Sequence, residues 1–176
     1  MAAMRPLQSI AMGLVIVALQ APVAGGYDAL PDPVGWLLVI LGTHRLPADV
    51  PRRGTLATLA WVAGAVSVAL WFPAVPEAAY DTNPSLGWAL NLPQLGYAGL
   101  LCHSLATSAV AAEDGRAAAW LRTAMVGFVA AAVLPVLVFG GGVGSLQNMM
   151  EVVAAMVLLT VILLLFAYSA RPWAVD

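Results

Sequence analysis

The stretch "YDALPDPVGWLLVILGTHRLP", residues 27–47, carries two aspartates at one end, His44 and Arg45 at the other, and an uncharged run between them. Asp32-Pro33 reads as a helix start, since aspartate accepts hydrogen bonds from free first-turn amides and proline at the first helical position loses no bond. Pro47 ends it, which predicts a helix over residues 33–46. Such a helix rises about 21 Å at 1.5 Å per residue, short of the roughly 30 Å of a hydrocarbon core. A buried strand, a short membrane helix and an acidic pocket at a membrane surface are all compatible with this stretch alone. The rest of the chain decides among them.

Hydrophobic residues make up 62% of the 176 positions, charged residues 9%, and the mean hydropathy is +0.91. Soluble domains run near 45–50% apolar and about 25% charged. Apolar segments recur at about residues 7–26, 33–46, 56–75, 84–112, 117–140 and 146–170, separated by short loops rich in charge, Gly and Pro. No segment shows the alternating polarity of a transmembrane barrel strand. The expectation is an all-α polytopic membrane helix bundle of about six transmembrane helices, forming one integral membrane domain over residues 1–176.

The basic residues give an independent test. All seven are arginines, Arg5, Arg45, Arg52, Arg53, Arg116, Arg122 and Arg171. With six spans they fall on the side that holds both termini, which the positive-inside rule makes cytoplasmic. Asp28, Asp32, Glu77, Asp81 and Glu151 take the other side. Tyr27, Trp36, Trp71, Tyr80 and Trp88 are expected at the outer interface, and Trp61, Trp120, Tyr168 and Trp173 at the inner one. The first span competes with a cleaved signal peptide, but cleavage after Ala24 would put Pro22 where a small residue is needed, so an uncleaved helix is favoured.

The run "LPDPVGWLLVILG", Leu30 to Gly42, resembles a loop-and-helix signature of small bacterial multispanning membrane proteins, in which a P-D-x-x-G-aromatic pattern opens a short apolar helix. The resemblance implies a multi-pass protein of the bacterial plasma membrane and no particular activity. There is also an internal echo: Tyr27-Asp28-x-x-Pro31 before Gly35-Trp36 recurs as Tyr80-Asp81-x-x-Pro84 before Gly87-Trp88. Duplicated helical hairpins or repeated use of good interfacial residues would both produce it.

Candidate site residues follow from the cost of polar groups at membrane depth. Asp32 is read either as a cap at the interface or, with Asp28, as an acid lining a recess sunk below it; an intramembrane acid is a functional candidate by default. In the fourth span Asn91, Pro93 and Gln94 lie about 10–15 Å from the outer end. Pro93 is expected to kink the helix, and Asn91, Gln94, Tyr97, Ser104 and Ser108 share a face that should point inward. That face serves interhelical hydrogen bonding or a solute pocket. Glu151, at the outer boundary of the last span, is paired with Asp32 as an acidic mouth that would attract cations. Pro135 stands in the fifth span without polar neighbours. Ala60, Gly64, Gly127 and Ala131, at four-residue spacings, suit helix packing.

Enzyme signatures are thin. Cys102 is the one cysteine and His44 and His103 the two histidines, so no cysteine-rich or zinc motif is present. No cofactor motif occurs, the lack of lysine excludes a lysine Schiff base, and a net charge of −2 excludes a nucleic-acid surface. Two function classes remain, a transporter or channel for a small solute or cation, and an accessory or scaffold subunit without a substrate of its own. The expected partners are the lipid bilayer and either further copies of the chain or another membrane protein.

Overall fold

Proline in a first turn and glycine or charge at the ends divide the chain into helices, and a computed structural model describes them for residues 4–19, 31–72, 74–75, 84–141 and 147–175, with the backbone alone for 84, 137–141 and 147–151. Asp28, Glu77, Asp81, the end of the first apolar segment, the second copy of the echo around Tyr80 and the turn before Ser145 lie outside the described residues. The helices are α1 (Pro6–Ala18), α2 (Asp32–His44), α3 (Arg53–Leu70), α4 (Pro84–Ala111), α5 (Gly115–Gly141) and α6 (Gln147–Tyr168), followed by a 3-10 turn at Pro172–Ala174. The described residues contain no strand, so the chain is all-α.

Several helix ends differ from expectation, α3 closing at Leu70 where residue 75 is expected, and some have a clear local cause. In α2 Pro31 holds the cap position and Asp32 already lies in the first turn, so Asp32 is not the cap. The helix stops at His44, because Pro47 disfavours helical backbone at Leu46. Leu46 and Val50 then turn inward, 1% and 3% exposed. Left-handed backbone at Arg52 (φ 58°) opens α3 at Arg53, three residues before the expected start, and Arg53 Nη2 donates to the His44 carbonyl at 2.6 Å. The turn from α4 to α5 is a double stop. The Asp114 and Glu113 amides close back on the Ala109 and Val110 carbonyls, a Schellman arrangement with Glu113 in the left-handed position. Asp114 Oδ1 then caps α5 by accepting from the Ala117 amide at 3.2 Å. Both α4 and α5 continue through their internal prolines, Pro93 and Pro135.

Each helix packs against its sequence neighbours, and α6 returns to pack against α1, closing a ring. Contacts of Gly42 with Ile10, Gly99 with Phe128 and Trp88 with Ala132 fix neighbouring helices as antiparallel. One end of the ring therefore holds the starts of α1, α3 and α5 and the ends of α2, α4 and α6, with all seven arginines at or near it.

The tightest seam is α1 on α2. A Cβ at Gly35 would lie 2.7 Å from the Gly13 carbonyl oxygen, and one at Gly42 would lie 2.8 Å from the Pro6 carbonyl, so glycine is what lets these backbones touch. Gly64 faces Trp36 and Ile40 of α2, and a Cβ at Gly127 would meet Val157 of α6 at 2.7 Å. Ala60 and Ala131 are buried beside them.

Among the described residues several small hydroxyls are buried with the apolar core, and many large apolar side chains face outward. Ser9, Thr43, Ser67, Ser104, Ser108 and Ser169 are buried, whereas Leu37, Trp61, Val126, Val152 and Leu163 are each at least half exposed. Among the described residues two helices, Arg53–Leu70 and Gly115–Val136, are long and apolar enough to cross a membrane by length and composition.

Candidate functional site

Polar side chains from three largely apolar helices come together at one place. Asp32 and Trp36 stand one turn apart on α2, Ser67 comes from α3, and Asn91 and Gln94 come from α4; together they line a cavity of about 40 Å³. At roughly 10–15 Å³ per water-sized centre, it has room for one to a few waters or a bare cation. Asp32, Asn91 and Gln94 are half-buried, while Ser67 is buried.

The donors on the walls are partly committed to their own helices. Asn91 Nδ2 donates to the Gly87 carbonyl at 2.9 Å and Ser67 Oγ to the Gly64 carbonyl at 2.8 Å. Both bonds tie a side chain to the preceding turn.

Trp36 lines the cavity and packs on Tyr97 behind it. Their rings meet edge to face, centroids 5.6 Å apart, at 1% and 0% exposure. The Tyr97 hydroxyl lies 2.7 Å from Thr43 Oγ1, and Thr43 spends its one proton on the Val39 carbonyl at 2.8 Å, so Tyr97 is the donor of the pair. Below this pair the face of α4 continues with Leu101, Ser104 and Leu105, all buried, and Ser104 Oγ has no hydrogen-bond partner. The inward face expected for Asn91, Gln94, Tyr97, Ser104 and Ser108 is thus the observed one. Trp36 departs from expectation: it is not an interfacial belt residue but a core side chain, because its place one turn after Asp32 points it inward.

The structure brings together three of the five candidate residues, Asp32, Asn91 and Gln94. Asp28 and the side chain of Glu151 lie outside the described residues, so the acidic mouth does too. Ser67, Thr43 and Trp36 were not singled out as site residues in the sequence. A signal for two of them exists, since Trp36 and Thr43 are seven apart and share a face of α2. Pro135 also gains a polar neighbour, because Trp88 Nε1 donates to the Ala132 carbonyl at 3.1 Å one turn before it.

At the arginine-bearing end a second polar cluster closes the ring. Asp114 Oδ2 lies 3.7 Å from Arg171 Nε and 3.4 Å from Trp173 Nε1, which joins the chain after α6 to the α4–α5 turn. The Ala117 amide bond, then the Trp173 and Arg171 contacts, hold the Asp114 carboxyl below its ordinary value of 3.8, against the opposing pull of partial burial. Neither cluster groups three or more His, Cys, Asp or Glu side chains among the described residues. Compared with known proteins, the chain matches no family model, and no curated protein or solved structure matches it.

Proposed function

We propose that the chain is a multi-pass membrane protein with six transmembrane helices and both termini in the cytoplasm, and that the Asp32–Asn91–Gln94 recess takes a small cation or hydrogen-bonding solute during transport. The observation that carries the transport reading is that polar side chains of three largely apolar helices, Asp32 of α2, Ser67 of α3 and Asn91 and Gln94 of α4, line one cavity. Scattered glue would pair helix by helix. The membrane reading is supported by the outward apolar faces, since soluble monomers rarely expose contiguous apolar patches beyond a few hundred Å², and by the arginines gathered at one end. Placement in a bacterial plasma membrane rests on the resemblance of Leu30 to Gly42.

The recess gives Asp32 the role of charge complement to a cation. Gln94 supplies a carbonyl oxygen that replaces part of its hydration, Asn91 lies beside it in the lining, and the Trp36–Tyr97 pair closes the path beneath. One feature favours the second reading, an accessory subunit without a substrate: the interior below the pair is solid, with Tyr97, Leu101 and Leu105 at 0–1% exposure.

Flux into vesicles reconstituted with the protein separates the two. Sodium and proton uptake, read with entrapped ion-sensitive dyes, should be measurable with the wild type, should fall to the protein-free level in Asp32→Asn, and should fall likewise in Asn91→Leu with Gln94→Leu. Flux unchanged in Asp32→Asn would remove the acid from the mechanism. No flux of either ion in any form would remove cation transport.

A further inference from the structure

A larger concavity runs along the outside of α4 and α5, with a volume of about 460 Å³. Its floor exists because two positions of α4 lack side chains: a Cβ at Gly96 would meet nothing within 4 Å, and one at Gly99 would only reach Phe128 Cβ at 3.6 Å. From His103 to Leu92 the groove follows one face of α4 for about 16 Å at 1.5 Å per residue. Between those ends its lining is apolar. At the His103 end the exposed guanidinium of Arg52 reaches the same groove from the α2–α3 turn. The neighbouring α2–α3 groove, about 210 Å³, has no charged residue in its lining.

We propose that the α4–α5 groove is a binding site for one acyl chain of an anionic phospholipid, whose headgroup phosphate is held by Arg52 and His103. The inference rests on the membrane reading above and is independent of transport through the recess. Two observations support this occupant. The groove is about 16 Å long, close to the roughly 15 Å depth of one leaflet in a core of about 30 Å. The basic pair stands at the end where all the arginines gather, the headgroup level of the cytoplasmic leaflet in the proposed topology, and the guanidinium fork matches phosphate oxygens.

The test uses purified full-length protein in mild detergent, titrated with phosphatidylglycerol or phosphatidylethanolamine of identical chains and read by native mass spectrometry. Wild type should retain phosphatidylglycerol in preference to phosphatidylethanolamine. Arg52→Gln should weaken phosphatidylglycerol about fivefold, or about 1 kcal/mol, while Arg5→Gln, with the same charge change elsewhere, should not. Gly96→Leu, whose side chain enters open space, should reduce retention of both lipids by filling the groove. Equal retention of the two lipids by wild type, or equal losses in Arg52→Gln and Arg5→Gln, overturns the site. Fractionation of expressed protein into carbonate-washed membranes reports on the membrane reading separately: protein in the membranes with no lipid preference refutes the groove alone, whereas protein released by carbonate refutes both.

Discussion

Replacing Gly35 by alanine tests the closest seam of the ring. The added Cβ would lie 2.7 Å from the Gly13 carbonyl oxygen, 2.8 Å from Val17 Cγ2 and 3.2 Å from Ile16 Cβ. Close carbon–oxygen contacts between helices settle at about 3.3–3.6 Å, so α1 and α2 must separate by roughly 0.6 Å or more. A carbonyl oxygen cannot rotate away as a side-chain tip can, and the strain passes to the whole contact. Overpacking of this kind costs about 1–3 kcal/mol. Alanine in place of glycine returns about 1 kcal/mol of helix propensity, leaving a net loss of up to about 2 kcal/mol. Gly96→Ala carries the same propensity gain with open space around the new methyl group, so it should stabilise by up to about 1 kcal/mol. Reversible unfolding by SDS in mixed micelles, followed by tryptophan fluorescence, compares them directly. Because Gly13 and Gly35 face each other, the double alanine variant should cost less than the sum of the singles: separation forced by one makes room for the other. A Gly35→Ala protein as stable as Gly96→Ala would refute the backbone contact.

Three further outcomes follow from named contacts. Tyr97→Phe removes a donor and leaves Thr43 still bonded to Val39, costing about 0.5–1.5 kcal/mol, whereas Thr43→Val strands the buried Tyr97 hydroxyl and costs about 1–3 kcal/mol; the reverse order in the same unfolding assay would contradict the donor assignment. The depressed Asp114 carboxyl adds stability that is complete above its ordinary value of 3.8 and is lost as the pH falls through its lower folded value, so melting curves of wild type should drop in that acid range and those of Asp114→Asn should not show that component. Single cysteines at Ser85, Asp49 and Glu113, all exposed, report topology against a buried native Cys102: an impermeant maleimide added to intact cells should label position 85 and spare 49 and 113, and labelling at 49 would exclude the proposed orientation.

The helices were legible because their signals are local. Pro6, Pro33 and Pro84 stand in first turns, the Glu113-Asp114-Gly115 break carries both a stop and a cap, and the observed helices start and end within a few residues of the apolar segments where both ends are described. The inward face of α4 was legible too, since Tyr97, Ser104 and Ser108 repeat at helical spacing and only one side of a helix can hold them inside. The misreadings have one cause. Residue type and distance to the loop put Trp36 in an interfacial belt and leave Asp32 open between a cap and a recess acid, yet both are governed by which way α2 turns its face. The seam of Gly13, Gly35 and Gly42 was missed for a related reason: a small residue on one helix means close approach only when its partner helix is known.

The recess depends on the register between helices, which no single segment encodes. Its lining sets Asp32, in the first turn of α2, beside Asn91 and Gln94, which are about 10–15 Å along α4 from Pro84. The start of α2 therefore lies well below the start of α4, and the mismatch follows from length, since α2 has 13 residues and α4 has 28. A full-length α2 would carry its acid up to the level of Pro84, away from the amides, and leave apolar residues opposite Asn91 and Gln94. The shortness that made residues 33–46 a poor span on their own is what places a carboxylate beside two amides inside the ring. Lengthening α2 by one turn before Gly35 should thus separate Asp32 from Gln94 by about 5 Å. In the transport reading this abolishes flux even though every polar residue is retained, and preserved flux would show that the recess is not the path.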